Sequence, residues 1–345
     1  MDPGAGRLAA LLDRLGVARD DPGLRVWRAP GRVNLIGEHI DYAGGTVLPF
    51  ACDLDIVLAT VPHEDAVVMT SLDIDDPVRV DLRSDAPRSE GWGRYAAGVV
   101  QALREDGRTV RGFRGVLSST IRVGAGLSSS AALAAAIALA LLDGERPAAA
   151  VLQRAELLAV GVPCGVMDQI AVLHGRRGHA LAIDCVSETW RAVPLPPLGL
   201  IVLDTGTRRR LDDGRYAERR AELERGHPKR LRHVATEKER VLHFLDAMAA
   251  GDFDRMGSLL NESHASLRDD YAVSSPKLDR AVEVARRQEG CLGARLVGAG
   301  FAGCALALVL PGGEARFVEA LERELPGTRA LPVAAVDGAG AITLE

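Results

Sequence analysis

Residues 122–142 read RVGAGLSSSAALAAAIALALL, a glycine turn and three serines running without a break into an alanine-rich apolar stretch. The spacing predicts a loop that feeds straight into a long helix. Gly124 and Gly126 let the backbone turn tightly at Ala125 and Leu127 and come close to a ligand. Successive N–H groups, with the hydroxyls of Ser128, Ser129 and Ser130, then stand at the helix start, where the dipole favours negative charge. This is a phosphate cradle made without a strong positive charge. It is not a P-loop, since no Gly-Lys-Ser/Thr follows at the required spacing. A serine-capped helix after a glycine turn is the simpler alternative, although one N-cap uses one hydroxyl and three are present.

Upstream of this loop the chain is strand-rich. After a short amphipathic helix at 7–16, LRVWRAP (24–30) reads as a strand stopped by Pro30 and Gly31. TVLPFACDLDIVLATV (46–61) reads as strand, turn, strand, and 67–74, 78–84 and 112–121 as further strands. The period turns helical at 91–106. Downstream, 148–160 is a helix and GVPCGVMDQI (161–170) is turn-rich; strands follow at 179–185 and 198–206. Helices follow at 215–226, 233–251, 254–267 and 275–288, then glycine-rich strand and loop at 294–310 and a helix at 313–325. Strands early and helices late predict an α+β fold rather than repeated βαβ units. The prolines of VPLPPLGL (193–200) mark the expected junction, giving domains 1–197 and 198–345, with the last strand able to return to the first domain.

Acidic residues exceed basic ones by five, which disfavours nucleic acid as a general partner but leaves a small anion open. The five cysteines are scattered with no Cys-x-x-Cys pair, against a disulfide framework or a structural zinc site. The N-terminus lacks the basic head and apolar core of a signal peptide. The longest apolar run, 131–142, falls short of the ~20 residues of a membrane span. A soluble, cytoplasmic protein is expected.

Two further stretches carry isolated polar chemistry. GRVNLIGEHIDYAGG (31–45) sets an arginine, a Glu-His pair and an aspartate between glycine-bounded turns. In AELLAVGVPCGVMDQI (155–170), Asp168 stands among apolar neighbours, where an unpaired carboxylate is expensive to bury. Arg32 is the natural cation to keep it ionised. Glu156, on the preceding helix, is placed to reach a divalent metal shared with a hydroxyl of the serine loop, and hard oxygens beside phosphate suit magnesium. The plainer readings are a turn-capping Asp168 and a solvated Glu156.

Taken together, APGRVNLIGEHIDYAGG (29–45), VGAGLSSSAAL (123–133), VPCGVMDQI (162–170), NESHASLRDDY (261–271) and VGAGFAGCALALV (297–309) resemble, in order, the motifs of the GHMP small-molecule kinases, and among them those of the galactokinases. The resemblance implies a two-domain fold, ribosomal-protein-S5-domain-2-like then ferredoxin-like. It implies phosphoryl transfer from ATP, with Mg2+, to the anomeric hydroxyl of a hexose; a monomer is expected, with neither nucleic acid nor membrane as partner. It assigns Asp168 as general base with Arg32 beside it, and Glu38, His39, Asp41, Gly165 and Tyr216 to the sugar. Ser130 and Glu156 become magnesium ligands, and Trp92 packs on adenine beside the nucleotide loop 124–130. The turn 298–303 either closes over the phosphates or supports the serine loop, a tight turn between two packed strands being the alternative. Ile40, Ala43 and Ala302 stand where threonine, asparagine and glycine are usual, and the segment after Tyr216 is short. A related pentose, amino sugar or uronic acid therefore stays open beside galactose, as does a catalytically silent sugar and ATP sensor.

Overall fold

The computed structural model describes residues 4–208 and 214–344. Helix α1 (Ala5–Leu15) leads into β1 (Arg25–Asn34), β2 (Thr46–Val47), β3 (Pro49–Pro62), β4 (Ala66–Ser71), β5 (Val78–Asp81), α2 (Gly93–Glu105) and β6 (Phe113–Ser119). Then come α3 (Ser129–Leu141), α4 (Ala149–Val160), α5 (Met167–His174), β7 (His179–Asp184), β8 (Thr189–Pro194) and β9 (Gly199–Asp204). The chain ends with α6 (Arg215–Glu224), α7 (Pro228–Ala250), α8 (Phe253–Asp269), α9 (Pro276–Arg287), β10 (Cys291–Leu296), β11 (Cys304–Val309), α10 (Glu314–Glu324), β12 (Arg329–Val333) and β13 (Gly340–Ala341).

A six-stranded sheet runs β13-β1-β3-β6-β4-β5, with the pair β4·β6 parallel and the others antiparallel. Helix α3 packs against β1 and β3 on one side and against α2, α4 and α5 on the other. It is apolar all round because it is covered all round, and its alanines let neighbouring backbones come close. A second sheet, β10-β11-β9-β12, is antiparallel throughout and has the ferredoxin-like order. Its central strands β9 and β11 read as almost unbroken apolar runs because both faces are covered. Leu200 and Val202 of β9 join the main core, while Ile201 and Leu203 meet Phe317 and Leu321 of α10 in a separate cluster. A third sheet joins β2, β7 and β8. The α+β class holds, and among the described residues no helix is long and apolar enough to cross a membrane.

Three strand readings are corrected. Strand β1 does not stop at Pro30 and Gly31; it continues to Asn34 through a register shift between Pro30 and Arg32. A bulge accommodates the proline that has no N–H to give to the ladder. The extra reach matters, since it delivers Arg32 to the serine loop. The stretch 46–61 breaks only at Leu48, between β2 and β3, and residues 49–62 form one strand, along which Asp53 N donates to Ala334 O (3.2 Å) and Ala334 N to Asp53 Oδ1 (3.0 Å). Strands β8, β12 and β13 went unread; β8 is largely exposed and β13 is two residues long.

Candidate active site

A cavity of about 920 Å³ opens where the bulged end of β1, the serine loop, the start of α5 and the turn between β10 and β11 meet. Every residue given a catalytic, sugar, nucleotide or metal role from the sequence lines it except Ala125 and Leu127, whose side chains are buried in the core; Ile40, also fully buried, and Ala43 do not line it. Leu127 contributes backbone instead: its carbonyl accepts from Arg32 N at 3.1 Å, locking β1 to the serine loop.

Asp168 occupies the first turn of α5, at the end of the dipole that favours a carboxylate. It does not cap the helix. Its Oδ1 accepts from Arg32 Nε (2.9 Å) and Nη2 (2.8 Å), and its Oδ2 from the hydroxyl of Ser128 (2.5 Å). Arg32 Nη1 donates to Gly126 O (2.6 Å), so one buried guanidinium spans the carboxylate and the glycine turn. Burial opposes the charge on Arg32, but Asp168, with Glu38 and Asp41, more than offsets it and holds the guanidinium above its ordinary pKa.

The segment after β1 turns sharply, with positive φ at Gly37 (101°) and His39 (62°). His39 Nε2 faces the carbonyl of Ala299 (3.2 Å), which only accepts, so Nε2 carries the proton and Nδ1 accepts from the hydroxyl of Tyr42 (2.8 Å). The ring packs between Tyr271 and Tyr216, with centroids 4.7 and 5.7 Å away. Tyr216 reaches this cluster from the first turn of α6. Asp41 faces Gly165 so closely that a Cβ there would lie 1.8 Å from its Oδ2. Burial, then the charge of Asp168, pushes the Asp41 carboxyl up to about 7. Glu38 is buried at the rear of the cavity, its Oε1 held by Gly298 N (2.7 Å) and Arg295 Nη2 (3.2 Å).

The serines do not cap α3. Ser128, in the left-handed region at φ 58°, gives its hydroxyl to Asp168, and Ser130 gives its own to Glu156 Oε1 (2.8 Å). The serine-cap alternative therefore fails. Glu156 is not a solvated helix residue either, since its Oε2 also accepts from Gln169 Nε2 (2.8 Å). Burial, then Asp168, raises its carboxyl above the ordinary range. A hydroxyl and a carboxylate in contact are hard oxygen donors of the kind that suit Mg2+ when substrate phosphates complete the shell. Among the described residues no group of three or more His, Cys, Asp or Glu forms a metal cage.

The turn 298–303 is both a tight connection between packed strands and a buttress. A Cβ at Gly298 would meet Gly126 O at 2.8 Å, and one at Gly303 would meet Ala125 O at 2.6 Å. The cradle is also less neutral than its motif suggests. Arg122 and Arg208 line the cavity, bonded to opposite oxygens of the buried Asp204 at 3.1 and 3.2 Å. Arg122 directly precedes the loop motif, a signal that the reading of the glycines and serines passed over. Trp92, at the start of α2, donates its indole N–H to Asp76 O (2.7 Å) and lines the cavity with Ile74 and Val123.

This geometry has close relatives. Family models match residues 16–62 (galactokinase galactose-binding signature), 94–176 (GHMP kinases N terminal domain) and 244–327 (GHMP kinases C terminal). The galactokinase of Roseiflexus sp. (strain RS-1) is 41% identical, over 82% of each chain, and that of Bos taurus is 38% identical, over 98% of this chain and 97% of its own. The crystal structure of Lactococcus lactis galactokinase complexed with galactose superposes with a TM-score of 0.87 at 30% identity, covering 98% of this chain and 99% of that one. The fold alone is shared with Methanococcus jannaschii mevalonate kinase, at a TM-score of 0.73 and 20% identity over 93% of this chain and 100% of that one. With identities near 40% over most of the sequence, this chain belongs to the galactokinase family of the GHMP kinases.

Proposed function

We propose that this protein transfers the γ-phosphoryl group of ATP to the anomeric hydroxyl of galactose, giving galactose 1-phosphate and ADP. The observation that carries this reading is the placement of Asp168. A carboxylate held by Arg32 and Ser128 fronts one cavity shared by the sugar motif and the serine loop.

Phosphoryl transfer asks mainly for positioning and charge neutralisation. Glu38 and Asp41 are planar acceptors able to take neighbouring sugar hydroxyls, and His39 and Tyr216 give them a rigid aromatic wall. The anomeric hydroxyl donates to Asp168, which takes its proton as the oxygen–phosphorus bond forms and the bond from the γ-phosphorus to the β,γ-bridging oxygen breaks. Arg32 and Ser128 hold that carboxylate in place. Ser129 and the first turn of α3 receive phosphate oxygens, Arg122 and Arg208 offset their charge, and Trp92 meets the adenine. Ser130 and Glu156 would hold Mg2+, which supplies charge neutralisation on the phosphates when bound. All these groups belong to this chain, and both proposed substrates are small soluble molecules.

Phosphorus NMR of the enzyme with MgATP and each of galactose, a pentose, an amino sugar and a uronic acid tests the reading. A new sugar-phosphate resonance with galactose is expected. Turnover of another sugar with galactose untouched overturns the substrate, and ATP left intact with every sugar overturns the chemistry. Asp168, Arg32, Ser130 and Glu156 are all in place, which argues against the silent-sensor reading.

A further inference from the structure

Residues 35–38 leave strand β1 as an irregular, buried loop in which Leu35 N and Ile36 O still pair with the backbone of Leu48 (3.0 and 3.2 Å), but no strand satisfies the carbonyls of Leu35 and Glu38 or the N–H of Gly37. Three fully buried ionisable side chains from the C-terminal half of the chain do so instead. Arg295 of β10 donates from Nε to Leu35 O (2.7 Å) and from Nη2 to Asn34 O (2.5 Å) and Glu38 Oε1 (3.2 Å). Glu237 of α7 accepts from Gly37 N (3.0 Å), from the hydroxyl of Ser263 (2.7 Å) and from Arg240 Nε (2.7 Å). His233, one turn earlier on α7, donates from Nε2 to Glu38 O (3.0 Å), while its Nδ1 accepts from Ser266 (2.9 Å). None of the three lines the cavity.

Buried ionic groups are a poor way to gain stability, because apolar side chains of similar volume often stabilise as well or better. Three of them directed at this short loop do something apolar packing does not: they fix the direction of the peptide groups they bond. We propose that Glu237, His233 and Arg295 are positioning residues that hold the Glu38 carboxylate and the turn to His39 in the geometry that receives the sugar. Sugar affinity is thereby set from α7 and β10, behind the pocket and without contact to the ligand. The inference rests on the sugar role of residues 38–41 proposed above.

The test is calorimetric binding of galactose, and separately of a non-hydrolysable ATP analogue, to the whole protein carrying His233→Leu or His233→Gln. Losing the donor to a buried carbonyl should weaken sugar binding about tenfold in His233→Leu. Nucleotide affinity should stay within about twofold, and His233→Gln, which keeps a donor at that place, should recover most of the loss. Unchanged sugar affinity in folded His233→Leu, or equal losses for sugar and nucleotide, would overturn the proposal. Should His233→Leu fail to fold, Ser266→Ala releases Nδ1 alone; a selective loss of sugar affinity of about threefold supports the clasp and no loss overturns it. The unsubstituted protein is measured first. If it binds another sugar in place of galactose, the same comparison is made with that sugar, so failure of the substrate reading is distinguished from failure of the clasp.

Discussion

The two loops that face each other across the cavity are held by opposite means. The sugar-side loop, 34–41, is gripped from behind by buried charges, through Arg295, Glu237 and His233. The phosphate-side loop, 124–128, is pressed into shape by backbone contact, glycine against glycine, with Arg32 as its one ionic tie to the base. The difference suits the ligands proposed for the two loops. A sugar is discriminated hydroxyl by hydroxyl, which needs acceptors aimed to a few tenths of an ångström and therefore directional bonds behind them. A triphosphate is recognised by charge and by N–H groups, which needs a close-fitting backbone.

This contrast makes the two loops separately breakable. Gly165→Ala should act on the sugar side alone and most severely, because the new Cβ would press into the Asp41 carboxylate at 1.8 Å. Sugar affinity should fall about a hundredfold with nucleotide affinity within about threefold, as expected of a conformational cost of a few kcal/mol confined to one subsite. Titrations with each ligand check it, and parallel losses would show the two sides are not independent.

Gly298→Ala is the informative exception. Its N–H holds Glu38, its φ is 76°, and its Cβ would strike Gly126 O at 2.8 Å. Sugar and nucleotide affinities should fall together, by about thirtyfold each. A loss confined to one ligand would mean that this residue does not join the loops.

The sugar side should also titrate. Asp41 has its carboxyl raised to about 7 by burial and by Asp168, and sugar hydroxyls donating to it favour the ionised form. Sugar affinity should therefore rise about tenfold from pH 6 to pH 8, with proton release seen as buffer-dependent binding enthalpy. In Asp41→Asn that dependence should vanish. Stability of the sugar-free protein should run the other way. A carboxyl whose folded pKa is raised contributes stability fully present below its unfolded value, near 4, and lost as pH rises through about 7. The smallest effect is expected at the far end of the cavity: Trp92→Ala should weaken nucleotide binding about fivefold, a stacking contribution near 1 kcal/mol, and leave the sugar unaffected.

How much of this was legible in the sequence follows the same divide. The phosphate loop announced itself because it is made by local sequence, glycines and serines at fixed spacing before an apolar helix. The other loop showed its cavity-lining residues proposed to meet the sugar, Glu38, His39 and Asp41, for the same reason. Its supports stayed hidden. Arg295 in ARLV, and His233 and Glu237 in HVATE, sit in ordinary strand and helix contexts, where a charged residue usually faces solvent. Only tertiary packing turns them inward. Arg122 and Arg208 were passed over because their shared partner, Asp204, lies 82 and 4 residues away. Pro30 and Gly31 ended a strand on local grounds, yet β3 pairs on past them to Asn34.

The central claim is that a carboxylate from the middle of the chain and a guanidinium from near its start meet at the transferred group. The most direct measurement is single-turnover phosphoryl transfer by Asp168→Asn, with sugar binding measured on the same preparation. The account predicts turnover reduced about a thousandfold or more, the order of a lost general base, with sugar affinity changed by no more than about threefold. A folded Asp168→Asn protein that transfers phosphate at near the parent rate would contradict it.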